Sequence, residues 1–186
     1  MAPTASELRD ELKAMEDSWH KMFDDEEQGG SGNGKAMLLL ALRIQQCCRK
    51  YFATHLHEQH SEKMKAVDHK VFESHASCAR DCLDAGAHRD ALKHTHKALD
   101  LSDAHGGAWM ECVVMNVLNY EKEAWIGLDE ESNYLDTATR RAEGMAQLAA
   151  VPRDEVVRAF CEVATVQIEL DDHQAAIKTA RAAVRV

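Results

Sequence analysis

From Met37 to the end of the chain, apolar residues recur every three or four positions, in runs separated by short polar or glycine-containing breaks. A half-buried strand needs apolar and polar residues to alternate over several positions. No β-branched stretch does so here. The pattern therefore restricts the chain to helices, which read as 35–57, 62–85, 88–100, 108–126, 131–150, 154–170 and 173–186, with one more at 4–23. Gly86, Gly127, the stretch 102–107 and Pro152 supply the stops. Breaks this short leave no room for a crossover, so successive helices must be antiparallel neighbours. The expected fold class is all-α, made of antiparallel helical hairpins.

The segment 4–23 differs from the rest. Leu8, Leu12, Met15, Trp19 and Met22 follow spacings of 4, 3, 4 and 3, which draws one apolar stripe along a helix that Thr4 or Ser6 can cap. A lone helix of this length is marginal in water. The stripe is therefore expected to dock, with Trp19 buried, either on the rest of this chain or on a partner or second copy. Charge favours the first destination. Residues 1–28 carry nine acids and three bases, net −6, whereas residues 35–97 carry eleven bases and seven acids, net +4. The reading divides the chain into an amphipathic helix with an acidic end (1–28), a glycine-rich linker (29–35) and a helical array (36–186).

That linker, Gly29-Gly-Ser-Gly-Asn-Gly-Lys-Ala36, comes close to the phosphate-binding loop GxxxxGK[ST]. Ala36 stands where the metal-binding hydroxyl belongs, and four acids rather than an apolar strand precede the glycines. A solvated linker is the better reading.

Composition excludes several classes. No apolar run reaches the ~18 residues of a membrane span, and the first ten residues contain no apolar signal region. A net charge of −10 offers no general basic footprint for nucleic acid. The six cysteines (47, 48, 78, 82, 112 and 161) have no CxxC spacing and fall within helical stretches, which suits reduced thiols in the cytoplasm.

Residues 79–101 carry a more specific signal. Ala79, Gly86, His88, Ala91, Thr95, Ala98, Leu99 and Leu101 place small residues where two helices would touch and a glycine at the turn between them. The stretch resembles a tetratricopeptide repeat. A second, similar stretch runs through Phe160, Val163, Ala164, Gln167, Asp171, Asp172, His173, Ala176, Ala180 and Ala183. Ala91 and Ala176 are 85 residues apart, two steps of about 42 rather than of ~34, as in the longer repeats that resemble kinesin light chains. Asp103 stands where that family usually closes a repeat with proline.

The resemblance implies a short solenoid with a concave groove lined by the first helix of each hairpin, and a role in protein–protein interaction. It points to Lys63, Lys70, Arg80, Asn116, Asn119 and Lys122 as residues that would hold a peptide or helix, with acidic partners favoured by the basic middle of the chain. It implies no enzymatic activity and no cofactor.

Other clusters hold side chains that could carry chemistry. His75, Cys78 and Cys82 lie at i, i+3 and i+7 on one helix face, where they could hold zinc with His69 or His94. The same positions are core positions in the repeat reading, so no metal is expected there. His55, His57 and His60 read as a solvated helix end, and Trp109 and Trp125 as core anchors. No carboxylate pair or GxSxG-type nucleophile stands out. Folding is expected to need neither metal nor nucleotide. Two rival readings remain, a metal- or small-molecule-sensing domain using the histidine-rich middle and a structural subunit of a larger assembly.

Overall fold

A computed structural model describes residues 5–27, 32–54 and 60–186. Its helices are α1 (Ala5–Glu27), α2 (Gly34–Thr54), α3 (His60–Asp84), α4 (His88–Ala104), α5 (110–127), α6 (Glu131–Gln147), α7 (Arg153–Glu169) and α8 (His173–Arg185). Helix α5 is composite: Met110–Cys112 leads into a π-helical turn, Val113–Val117, and then into Leu118–Gly127. No strand occurs among the described residues, and no described helix is long and apolar enough to cross a membrane.

Each helix packs chiefly on its neighbours in the chain, and α3 also meets α5. Three apolar clusters result, the smallest formed by Ala91, Leu92 and Ala124. Met15 and Trp19 of α1 join Met37, Ile44 and Phe52 of α2 and Val67 and Val71 of α3. Phe72 of α3 instead joins Val114 and Val117 of α5, Met145 of α6 and Phe160 and Val163 of α7. Val114 lodges directly on Gly144, where an added Cβ would lie 2.6 Å from its methyl group.

One chemistry closes four helices. After α3, Gly86 turns into the left-handed region at φ +70°, its N–H donates to the Leu83 carbonyl, and the N–H of Ala87 donates to that of Cys82. This is the Schellman pattern. It recurs at Gly106, Asp129 and Asp171, with φ of +64°, +60° and +62°. Asp172 then caps α8 by accepting from the Ala175 N–H at 3.0 Å.

The stop expected at Gly127 is thereby corrected. Asp129 makes the turn, and Gly127 stays helical beneath the His88 ring, which would lie 2.3 Å from a Cβ there. Helix α6 ends at Gln147 rather than 150, and α1 continues to Glu27 rather than 23. Helix α2 begins at Gly34, inside the stretch read as linker, because Gly34 is buried against α3.

The small residues singled out in the first repeat-like stretch are deeply placed: Ala79, Ala91, Thr95 and Ala98 are all at 0% exposure. In the second, Phe160, Val163, Ala164, Gln167, Ala176 and Ala183 are buried, whereas His173 and Ala180 are exposed.

Candidate functional site

The most distinctive surface is the seat of α1. Its stripe faces α2 and α3, with Met15 and Trp19 buried and Leu8, Leu12 and Met22 half-buried. Trp19 is 4% exposed, and its indole Nε1 donates to Ser74 Oγ at 2.9 Å. Ser74 in turn donates to the Lys70 carbonyl at 2.7 Å. The Lys70 ammonium sits 5.2 Å from the centre of the Trp19 ring and 3.4 Å from His20 Nε2. Phe23, which the sequence stripe did not include, stacks on Trp19 with ring centres 5.1 Å apart. The other half of α1 fits less closely. A cavity of about 390 Å³ remains among Leu12, Glu16, Cys48, Phe52, Lys63 and Val67. Burial first, then the charges of Glu16 and Cys47, push the Cys48 thiol up to about 11, so it stays protonated.

The six residues proposed for peptide contact do not meet in one groove. Lys63 and Lys70 face α1. Arg80 and Asn116 line a recess of about 220 Å³ between α3 and α5, with Phe23 at its rim. Asn119 donates to Glu123 at 2.7 Å, on its own helix. Lys122 donates to Glu162 at 2.8 Å and is largely buried, so it ties α5 to α7. Glu162 also accepts from Tyr134 at 2.6 Å. Burial works to raise the Glu162 carboxyl, but the hydrogen bonds from Lys122 and Tyr134, with the charges of Lys122 and Arg141, together outweigh it and hold the group below its ordinary value. Lys122 is thus committed to a structural ion pair.

The glycine-rich string is also committed. The N–H groups of Gly32 and Gly34 donate to the two oxygens of Asp81, at 3.0 and 2.9 Å. A carboxylate of this chain therefore occupies the helix N-terminus that a phosphate would need.

His75 and Cys78 are buried, as the core reading expected, and Cys82 is partly buried. His75 Nδ1 lies 2.9 Å from His94 Nδ1, so one ring donates and the other accepts, and burial lowers both. Burial first, then the charges of His94 and Lys97, lower His75 to about 4. Cys82 packs instead beside Ala91, Leu92 and Ala124. The set His75, Cys78 and Cys82 does not converge on a point. His55 and His57 lie outside the described residues, as does the side chain of His60.

The donor atoms that do converge, among the described residues, belong to His69, Glu73 and Cys112, all within 4.8 Å of one another. His69 and Glu73 are one turn apart on α3, and Cys112 comes from the start of α5. Trp109 packs around this point, with ring centres 5.1 Å from His69, 5.3 Å from Phe72 and 4.8 Å from His105. His105 is held by Asp68 at 2.9 Å, and Asp68 also accepts from Gln45 at 2.6 Å. The sequence reading missed Cys112. Its only visible signal was the His-x-x-x-Glu spacing at residues 69–73.

No protein-family model, no curated protein and no solved structure matches this chain. What it does must be argued from these side chains.

Proposed function

We propose that this protein is an interaction module, not an enzyme, whose hairpins stack like those of a tetratricopeptide array and accept an amphipathic helix on the face formed by α2 and α3. One observation carries the reading: α1, an amphipathic helix, is seated on that face through a buried tryptophan. A surface that accepts Trp19, Met15 and Leu12 has the chemistry to accept another helix with the same spacing. The basic middle of the chain favours an acidic occupant, and α1 itself belongs to a segment of net −6. The cavity beside Leu12 leaves α1 imperfectly fitted, which favours a better-matched partner, or α1 of a second copy, as its competitor. A cytoplasmic setting, where all six free thiols stay reduced, belongs to the same reading.

A fluorescent peptide of residues 5–27 tests it against the full chain. Trp19→Asp places a charge in the seat and should release the protein's own α1, so this variant should bind the peptide at least ~10-fold more tightly than the parent, a difference of ~1.4 kcal/mol. If neither protein binds the peptide at concentrations where both are folded, the face is not a helix receptor.

A further inference from the structure

We propose that His69, Glu73 and Cys112 form a binding site for a zinc-class divalent ion, bridging α3 to α5 and leaving a fourth position open. The inference rests on their geometry and is independent of the helix-binding role.

His69 Nε2 already lies 3.3 Å from Glu73 Oε1. Two donors each ~2.0 Å from a tetrahedral zinc stand about 3.3 Å apart, so these atoms mark one edge of the polyhedron. Cys112 completes a face, with all three donor atoms inside 4.8 Å. Closing on an ion with a ~2.3 Å sulfur bond asks only for a small movement of the thiol. The i, i+4 spacing on α3 places the imidazole and carboxylate on the same side of one helix, one turn apart.

The donor set selects the ion. One sulfur, one imidazole and one carboxylate disfavour calcium and magnesium, which take oxygen ligands. The combination of a thiolate, an imidazole and an oxygen is a zinc-type set. Three protein ligands with a free fourth corner resemble the open arrangement of reactive zinc sites rather than the closed four-ligand structural type.

The surroundings suit an ion. His69 stacks on Phe72 with ring centres 5.9 Å apart and packs against Trp109, so its ring is held by aromatic contacts rather than left free to turn. Glu111 adds negative charge beside Cys112, and Lys70 opposes it beside His69. Without an ion the Cys112 thiol is held above its ordinary value, first by burial, then by the charges of Glu73 and Glu111 and a hydrogen bond to Glu73. Binding exchanges the thiol proton for the metal: the S–H bond breaks, the S–metal bond forms, the proton leaves to solvent, and no electron is transferred.

The test uses the full chain, stripped with a chelator and titrated with cobalt(II) as a spectroscopic stand-in for zinc. One equivalent should produce a thiolate-to-cobalt charge-transfer band in the near ultraviolet and tetrahedral d–d bands in the visible. Both should vanish when zinc is added. Cys112→Ser should abolish the charge-transfer band. His69→Gln should weaken binding by at least the ~10–100-fold that loss of an outer partner costs a metal site, and it serves as the second probe if Cys112→Ser does not fold. Cys82→Ala and His75→Gln should leave both bands intact. The proposal is overturned if the parent protein shows no such band at stoichiometric cobalt while its helical circular dichroism is intact. It is equally overturned if the band persists in folded Cys112→Ser, or if His69→Gln binds cobalt as tightly as the parent.

Discussion

Replacing Trp19 by alanine removes the anchor of α1, and the structure sets the size of the effect. The indole is 4% exposed, so almost its whole surface leaves water on docking. About 200 Å² at ~25 cal/mol per Å² gives roughly 5 kcal/mol, an upper value because the undocked chain buries some of that surface too. Measured Trp→Ala costs of ~3–5 kcal/mol bracket the same figure. That range already contains the hydrogen bond to Ser74, at about 1 kcal/mol, and the contact with the Lys70 ammonium, at ~0.5–1 kcal/mol. Ser74 keeps its own acceptor in the Lys70 carbonyl, so the loss strands no donor.

A helix held by two buried and three half-buried residues of its stripe has little more docking energy than this to lose. The variant is therefore expected to release α1 while α3 to α8 remain folded. Hydrogen exchange should show the α1 amides losing nearly all protection while those around Val163 in α7 keep theirs. Trypsin should cut rapidly after Lys13 and Lys21. Trp19→Phe, which keeps most of the area and loses the hydrogen bond, should cost about 1–2 kcal/mol and leave α1 docked. If Trp19→Ala protects α1 as well as the parent does, the seat is not held by the tryptophan and the reasoning fails.

Three further outcomes follow from the packing. Ala91→Leu, at a site with 0% exposure, should overpack the close contact around α4 and lower stability by ~1–3 kcal/mol in urea titrations; an unchanged midpoint would show that α4 makes no close approach there. Gly34→Ala should cost about 2–3 kcal/mol, because its Cβ would stand 2.7 Å from the Cys78 nitrogen and 2.8 Å from the Ser77 carbonyl carbon, backbone that cannot swing aside; a solvated linker would tolerate the change, so an unaltered melting temperature refutes the packing. His75 titrates near 6.5 when unfolded and about 4 when folded, so the unfolded chain takes up the proton first as pH falls. Stability should therefore drop by about 3 kcal/mol between pH ~6.5 and ~4 through this group, and His75→Leu should flatten that part of the stability–pH curve; equal slopes in the two proteins would remove His75 as the cause.

What the sequence made legible was whatever one helix decides alone. Period and stops gave the helices, because burying one face of a helix imposes the 3.6-residue spacing whatever lies opposite. The α1 stripe was readable for the same reason, although Phe23 was not, since it joins the face only by stacking back on Trp19. Features fixed by two helices were misread or missed. Gly127 looked like a helix stop, yet its lack of a side chain serves the His88 ring arriving from α4, and Asp129 takes the turn.

Metal donors show the same division more sharply. His75, Cys78 and Cys82 share a helix face, but seven residues at ~1.5 Å rise place the outer two about 10 Å apart along the axis. No single ion can reach both, so a shared face is not a shared point. His69 and Glu73, four apart, span a single turn, and they meet a third donor only because the start of α5 crosses α3 there. The glycine string obeys the same logic. Read as a solvated linker, it instead turns the N–H groups of Gly32 and Gly34 onto an anion, Asp81, nearly fifty residues further along the chain. A local pattern states what a segment can hold, and the packing of its neighbours decides what it does hold.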